Sequence, residues 1–285
     1  MKIIAQNTAI YMEGLGHAYN PGEWLFRGYD ASIQHGKVVS LLGRNGCGKT
    51  TLLNLLLKTM RPTEGRVCVQ GETAYVPQFF HAAFSYSVLD MVMMGRAKKI
   101  GLFSQPSPAD RSFCLHTLER FGLAHLAHKN FGDLSGGQRQ LVIFARALVS
   151  EASIIVLDEP TSALDLRHQN LILDWILRLS NEDQLTILFT THQLHHAYAV
   201  ADDALLMLND GTSLYGAARD VLTESNLSVL YDVPIQRAEV RHNSHSLATL
   251  VPIYLGKDKS ICRHSHTTHR TDESSQMEQV AGMRR

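Results

Sequence analysis

The octapeptide Gly43-Arg-Asn-Gly-Cys-Gly-Lys-Thr50 constrains this chain more than any other feature. The apolar run VVSLL precedes it, and TLLNLLLK, with leucines at helical spacing, follows it. A strand, a glycine-rich turn and a helix in that order make an anion cradle. Glycines let backbone N–H groups turn inward with no Cβ in the way, and the helix N-terminus adds its positive end. A nucleotide triphosphate suits such a cradle. Gly43, Asn45, Gly46, Cys47, Gly48 and Thr51 would wrap the phosphates, Lys49 would reach the β- and γ-phosphates, and Thr50 would hold Mg²⁺. ATP and Mg²⁺ are the expected cofactors. Bulk on the Cys47 side chain is expected to face the phosphates.

The rest of the chain narrows the fold. Apolar, β-branched runs recur at Val38–Leu42, Arg66–Val69, Thr73–Val76, Ser153–Leu157, Leu185–Thr190 and Ala204–Leu208. Helical spacing occupies Thr51–Lys58, Leu115–Gly122, Arg139–Val149 and Gln169–Leu179 between them. Buried strands alternating with helices predict an α/β fold with a mainly parallel sheet. Residues 79–150 break the rhythm and read as an inserted helical subdomain, with helices expected over Ser87–Gly95, Asp110–Gly122 and Ser135–Val149 and a loop at Gln105–Pro108. The expected division is a domain over 1–255 and a disordered, polar, His-containing tail over 256–285. That tail holds His264, His266 and His269, with His242 and His245 upstream.

Charge and cysteine usage exclude several roles. Lys plus Arg and Asp plus Glu each number 27, a formal balance of zero that argues against nucleic acid as a partner. No apolar stretch is long enough to span a bilayer, and the N-terminal residues make a poor secretory signal, so the chain reads as cytosolic. Four scattered cysteines (Cys47, Cys68, Cys114, Cys262) offer neither a disulfide framework nor a zinc site.

Two further motifs carry chemistry. Ser153-Ile-Ile-Val-Leu-Asp-Glu-Pro160 is an apolar strand ending in two carboxylates, which puts acid at the carboxyl edge of a parallel sheet. Asp158 would complete the Mg²⁺ shell and Glu159 would polarise the attacking water. Leu134-Ser-Gly-Gly-Gln138 opens the helical run RQLVIFARAL, a second small anion nest at a helix start.

Together these motifs resemble the ATP-binding cassette (ABC) proteins, over about Ile10 to Leu255. The resemblance implies a P-loop core with an antiparallel N-terminal β part and an inserted helical subdomain. It also implies that Ser135, Gly136, Gly137, Gln138 and Asp165 act in trans, closing over ATP held by a second copy in a homodimer. Tyr19 matches the aromatic that stacks on adenine, Gln78 in YVPQ the loop that senses Mg²⁺ and a permease, and Ser162–Asp165 the loop that meets the other subunit. His192, 33 residues after Glu159, matches the switch histidine at the γ-phosphate. No motif is missing, which implies an active ATPase with Glu159, His192, Lys49 and Gln78 as its catalytic set.

Within the family, chromosome and repair ATPases need a long coiled coil between the two ATP motifs, and translation factors carry two cassettes. Here 115 residues separate Gly43 from Asp158, without heptads, and there is one cassette. The segment VLDMVMMGR with its following Phe–Ser–Pro–Asp loop resembles type II importers of iron–siderophores, haem, cobalamin and related metal species, most closely those of molybdate and tungstate. That resemblance implies two permease subunits, a periplasmic or surface substrate-binding protein, and a place on the cytoplasmic face of the inner membrane. Molybdate or tungstate is the expected cargo, with iron chelate, haem or cobalamin as the alternative.

Overall fold

Two long strands, β1 (Thr8–Asn20) and β2 (Glu23–Gln34), open the chain and pair antiparallel. β3 (Val38–Gly43) runs through the glycine loop into α1 (Lys49–Leu56). β4 (Glu64–Val69) returns to the free side of β1, antiparallel, and β5 (Thr73–Val76) follows. The next elements are helical: α2 (Val88–Met93), α3 (Ala97–Ile100), α4 (Pro108–Arg120) and α5 (Gly136–Leu148). β6 (Ile154–Leu157), α6 (Leu166–Asn181), β7 (Thr186–Thr190), α7 (Leu194–Val200), β8 (Asp203–Met207) and β9 (Ser213–Ala217) then alternate. The short α8 (Ala218–Val221), α9 (Glu224–Tyr231) and the antiparallel pair β10 (Ile235–His242) and β11 (His245–Pro252) close the sequence of elements. The structure, a computed structural model, describes residues 7–80, 84–101, 104–243 and 245–254. The expected disordered tail over 256–285, with its three histidines and Cys262, lies outside them.

The main sheet has the order β5-β6-β7-β3-β8-β9, parallel throughout except for β9. Every residue of β3, β6 and β7 is buried, so strands covered on both faces read as unbroken apolar runs. A second sheet, β2-β1-β4, is antiparallel. The run Arg66–Val69, expected among the strands of the α/β core, belongs to this second sheet; its exposed Glu64, Gly65 and Arg66 suit a strand wetted on one face.

Two helix expectations also shift. The segment expected as one helix over Ser87–Gly95 is α2 followed by a 3₁₀ turn at Met94–Arg96, with Ser87 and Asp90 forming a capping box at the start. Pro108, expected in a loop, is the first residue of α4, where its missing N–H costs nothing. Phe144, Ile176 and Phe189 join α5, α6 and β7 in one apolar cluster, while Ile10, Phe26, Leu41 and Leu53 join the antiparallel sheet to β3 and α1 in another. Each such side chain contributes roughly 1.5–3 kcal/mol on burial. The two clusters fix the carboxyl ends of β3 and β6 at one edge of the sheet, the crevice where α/β proteins hold ligands.

Candidate active site

The glycine loop leaves α1 with no side-chain cap: its N-cap is Gly48, at φ 103°. A glycine is required there, because that φ suits no other residue well and a Cβ would stand 2.8 Å from Leu25 Cδ2. The first-turn N–H groups of α1 are therefore left for a ligand. Lys49 is buried and spans its own loop, its Nζ donating to the carbonyls of Gly43 (2.9 Å) and Arg44 (3.1 Å). Cys47 departs from expectation. Its thiol turns toward Gly43 and Met207, with Sγ 4.0 Å from the Met207 sulfur, and it packs on the core instead of the phosphate side. Burial pushes that thiol up, against the pull of Lys49.

The acidic strand end is tightly wired. Thr190, at the end of β7, donates its hydroxyl to Asp158 Oδ1 (2.7 Å), and Tyr75 donates to Oδ2 (3.3 Å). Burial and the Asp158 charge push the Tyr75 phenol up to about 12. Glu159 sits at φ 47°, a left-handed conformation that a non-glycine residue adopts only under constraint. Its N–H donates to Thr190 Oγ1 at 2.7 Å, which holds that conformation. Its carboxylate lies between two partners: Gln78 Nε2 donates to Oε2 at 2.9 Å, and His192 Nε2 is 2.5 Å from Oε1. Gln78 also donates to Ser162 Oγ at 3.2 Å.

One cleft of about 360 Å³ is lined by Tyr19, Leu25, Asn45, Gly46, Gly48, Lys49, Thr50, Thr51, Gln78, Asp158 and Glu159. The structure thus gathers most of the residues named from sequence, drawn from four separate segments. Tyr19 is largely exposed at the rim, with its hydroxyl 2.8 Å from Thr51 Oγ1 and its ring edge-to-face with buried His17. Ser135, Gly136, Gly137, Gln138 and Asp165 do not line this cleft. Ser135 instead caps α5, accepting the Gln138 N–H while Gln138 Oε1 accepts the Ser135 N–H. Asp165 caps α6, and bonds from His168 hold its carboxyl below the usual range.

Sequence reasoning missed Leu25, Tyr75, Thr190 and His196. Leu25, Tyr75 and His196 are held by tertiary contacts that no local pattern encodes. His196 is buried on α7 with Nδ1 3.2 Å from the Thr161 hydroxyl; burial, then neighbouring His195, pushes its imidazole down to about 4.

A parallel sheet with a glycine loop and an acidic strand end meeting in one cleft defines a P-loop nucleotide hydrolase. Residues 26–162 match the family model described as ABC transporter. The chain is 41% identical to the molybdate import ATP-binding protein MolC of Haemophilus influenzae, over 87% of this chain and 98% of that protein. It is 35% identical to a probable iron chelatin transport ATP-binding protein of Helicobacter pylori, over 72% of this chain and 86% of the other. A solved inward-facing ABC transporter, provisionally described as of metal-chelate type, superposes with a TM-score of 0.83 at 40% identity, covering 87% of this chain and 98% of that one. The chain belongs to the ABC transporter family, as one of its ATPases. Members of this family hydrolyse ATP to power transport, working as dimers with transmembrane permease components. Among the described residues no helix is long and apolar enough to cross a membrane.

Proposed function

We propose that this chain is the ATP-hydrolysing subunit of a metal-species importer whose cargo is molybdate or tungstate. The observation that carries the cargo reading is the 41% identity to a molybdate import ATPase along 98% of its length. Identity to an iron chelatin ATPase, at 35%, favours iron chelates as the second reading. The ATPase acts on two permease subunits at the cytoplasmic face of the inner membrane, and a substrate-binding protein outside supplies the cargo. Residues 1–255 form the ATPase domain, with residues 79–150 as its helical subdomain and 256–285 as a tail.

Each residue has a role in this reading. Tyr19 stacks on adenine, and Asn45, Gly46, Gly48 and Lys49 hold the phosphates. The hydroxyl of Thr50, the carboxylate of Asp158 and the amide oxygen of Gln78 are hard oxygen donors around one cleft, a set that suits Mg²⁺ completed by phosphate and water oxygens. Gln78 commits its Nε2 to Glu159 and Ser162, which leaves its Oε1 as the ligand atom. Bound Mg²⁺ would neutralise phosphate charge. Glu159 accepts a proton from the attacking water, and His192, paired with it, contacts the γ-phosphate. Ser135, Gly136, Gly137, Gln138 and Asp165 of a second copy complete the site.

The test is to reconstitute the chain with its permease in vesicles and measure ATP-driven uptake of molybdate, ferric chelates and cobalamin. Molybdate uptake is the expected result. Uptake of a chelate without molybdate would move the cargo to the second reading.

A further inference from the structure

Two motifs that line no part of this chain's own cleft are joined by one side chain. Asp165 caps α6 by accepting the His168 N–H at 2.9 Å, and the same Oδ1 lies 2.8 Å from the His168 ring Nδ1. That ring rests on Gly137, so closely that any Cβ at position 137 would overlap it. The next residue, Gln169, turns the other way. Its amide donates to the carbonyls of Leu164 (2.9 Å) and Thr161 (3.3 Å), which holds the 161–165 loop in shape from within. The imidazole therefore touches both the loop carboxylate and the glycine nest at the start of α5.

We propose that His168 is a positioning residue that fixes Asp165 to the Ser135–Gly137 nest, so that both present one rigid face to nucleotide held by a second copy of this chain. The proposal rests on the two-copy reading of the site. Asp165 and Ser135 stand on different helices, and a composite site tolerates little slack between its parts. A hydrogen bond to a carboxylate is stronger and more directional than one between neutral groups, and it ties the loop to the ring. The missing Cβ at Gly137 lets the ring seat flat against the nest. None of the three residues lines the chain's own cleft, so His168 governs closure between copies and leaves capture of nucleotide by one copy untouched.

The test uses the full chain carrying Glu159→Gln, which should form an ATP-trapped dimer. Adding His168→Ala should raise the ATP concentration for half-maximal dimerisation about tenfold, the loss expected from one hydrogen bond to a charged group. Binding of a fluorescent ATP analogue to the monomer should not change. His168→Asn, whose amide nitrogen can stand in for Nδ1, should recover most of the dimerisation. Equal dimerisation with and without His168→Ala overturns the proposal alone. Loss of monomer binding together with dimerisation marks a general structural role and also overturns it. A Glu159→Gln parent that stays monomeric in ATP overturns the two-copy reading beneath it.

Discussion

The helix starts of α1 and α5 share a glycine-rich approach and the same dipole, yet they differ in what remains available. At α1 the cap is Gly48, which offers no side chain, so no capping side chain occupies the first-turn N–H groups. At α5, Ser135 and Gln138 satisfy one another in a capping box, and two donors are already occupied. One helix start is built to hold phosphate by itself. The other is largely self-satisfied, and in the proposed function it adds a hydroxyl and glycine N–H groups when a second copy delivers a phosphate to it. In the proposed function, the difference means that a P-loop site can bind within one chain and still depend on a second copy to turn over.

The largest effect should come from the α1 side. Lys49→Ala removes the buried ammonium that spans the loop and would meet the γ-phosphate. Hydrolysis should fall about 10²–10³-fold, the usual cost of losing one preorganised charge-stabilising donor. Phosphate release measured at saturating ATP checks this. A variant retaining a third of normal turnover would show that the loop N–H groups alone suffice.

Glu159→Gln comes next, with an expected loss of roughly 10²-fold in turnover from removal of a general base. The amide can still accept from Gln78, so the site should stay assembled and ATP binding intact. Size-exclusion chromatography with ATP should show a stable dimer. Turnover at the normal rate would remove Glu159 from the catalytic set and leave His192 without its role.

Much of this was legible in the sequence, for a physical reason. Gly43–Thr50, Asp158 and Glu159 sit at the ends of short buried strands, where apolar runs stop at chemistry-bearing residues, so composition changes sharply at the site. The antiparallel membership of β4 was not legible, because Arg66–Val69 carries the same β-branched pattern as a parallel strand and only its pairing with β1 distinguishes it. Cys47 misled for a related reason. Its position in the loop suggests a phosphate-facing thiol, but the turn between Gly46 and Gly48 rotates the side chain onto Met207. Thr190 could have been suspected from the doubled threonine of FTTHQ, while the buried pairing of His196 with Thr161 is tertiary and leaves no local signal.

That pairing gives a pH prediction, since it links α7, just beyond His192, to the loop that leads toward α6 and the α5 side. The native imidazole of His196 stays neutral down to about 4, whereas an unfolded histidine takes up its proton near 6.5. The stability it supports is therefore complete above pH 6.5 and is lost as pH falls toward 4. By pH 5 the loss from this group should reach about 2 kcal/mol. Urea midpoints at pH 7 and pH 5 should differ less in His196→Asn than in the parent chain. An identical pH slope in the two would place the acid sensitivity elsewhere.

Ser135 gives the smallest effect on stability and the cleanest way to break the comparison. Its side chain has two separable duties: capping α5 within the chain and, in the proposed function, meeting phosphate across a dimer interface. Ser135→Ala removes the cap and should cost about 1 kcal/mol, read as a small drop in Tm. Ser135→Asp keeps a cap of equal quality and adds a charge the helix N-terminus favours, so its Tm should hold or rise slightly. The same carboxylate would repel a phosphate brought by the second copy, so ATP-dependent dimerisation in the Glu159→Gln background should disappear. An aspartate variant that dimerises as well as the parent would make Ser135 a cap and nothing more. The contrast between the two helix starts would then reduce to one phosphate site and one ordinary helix end.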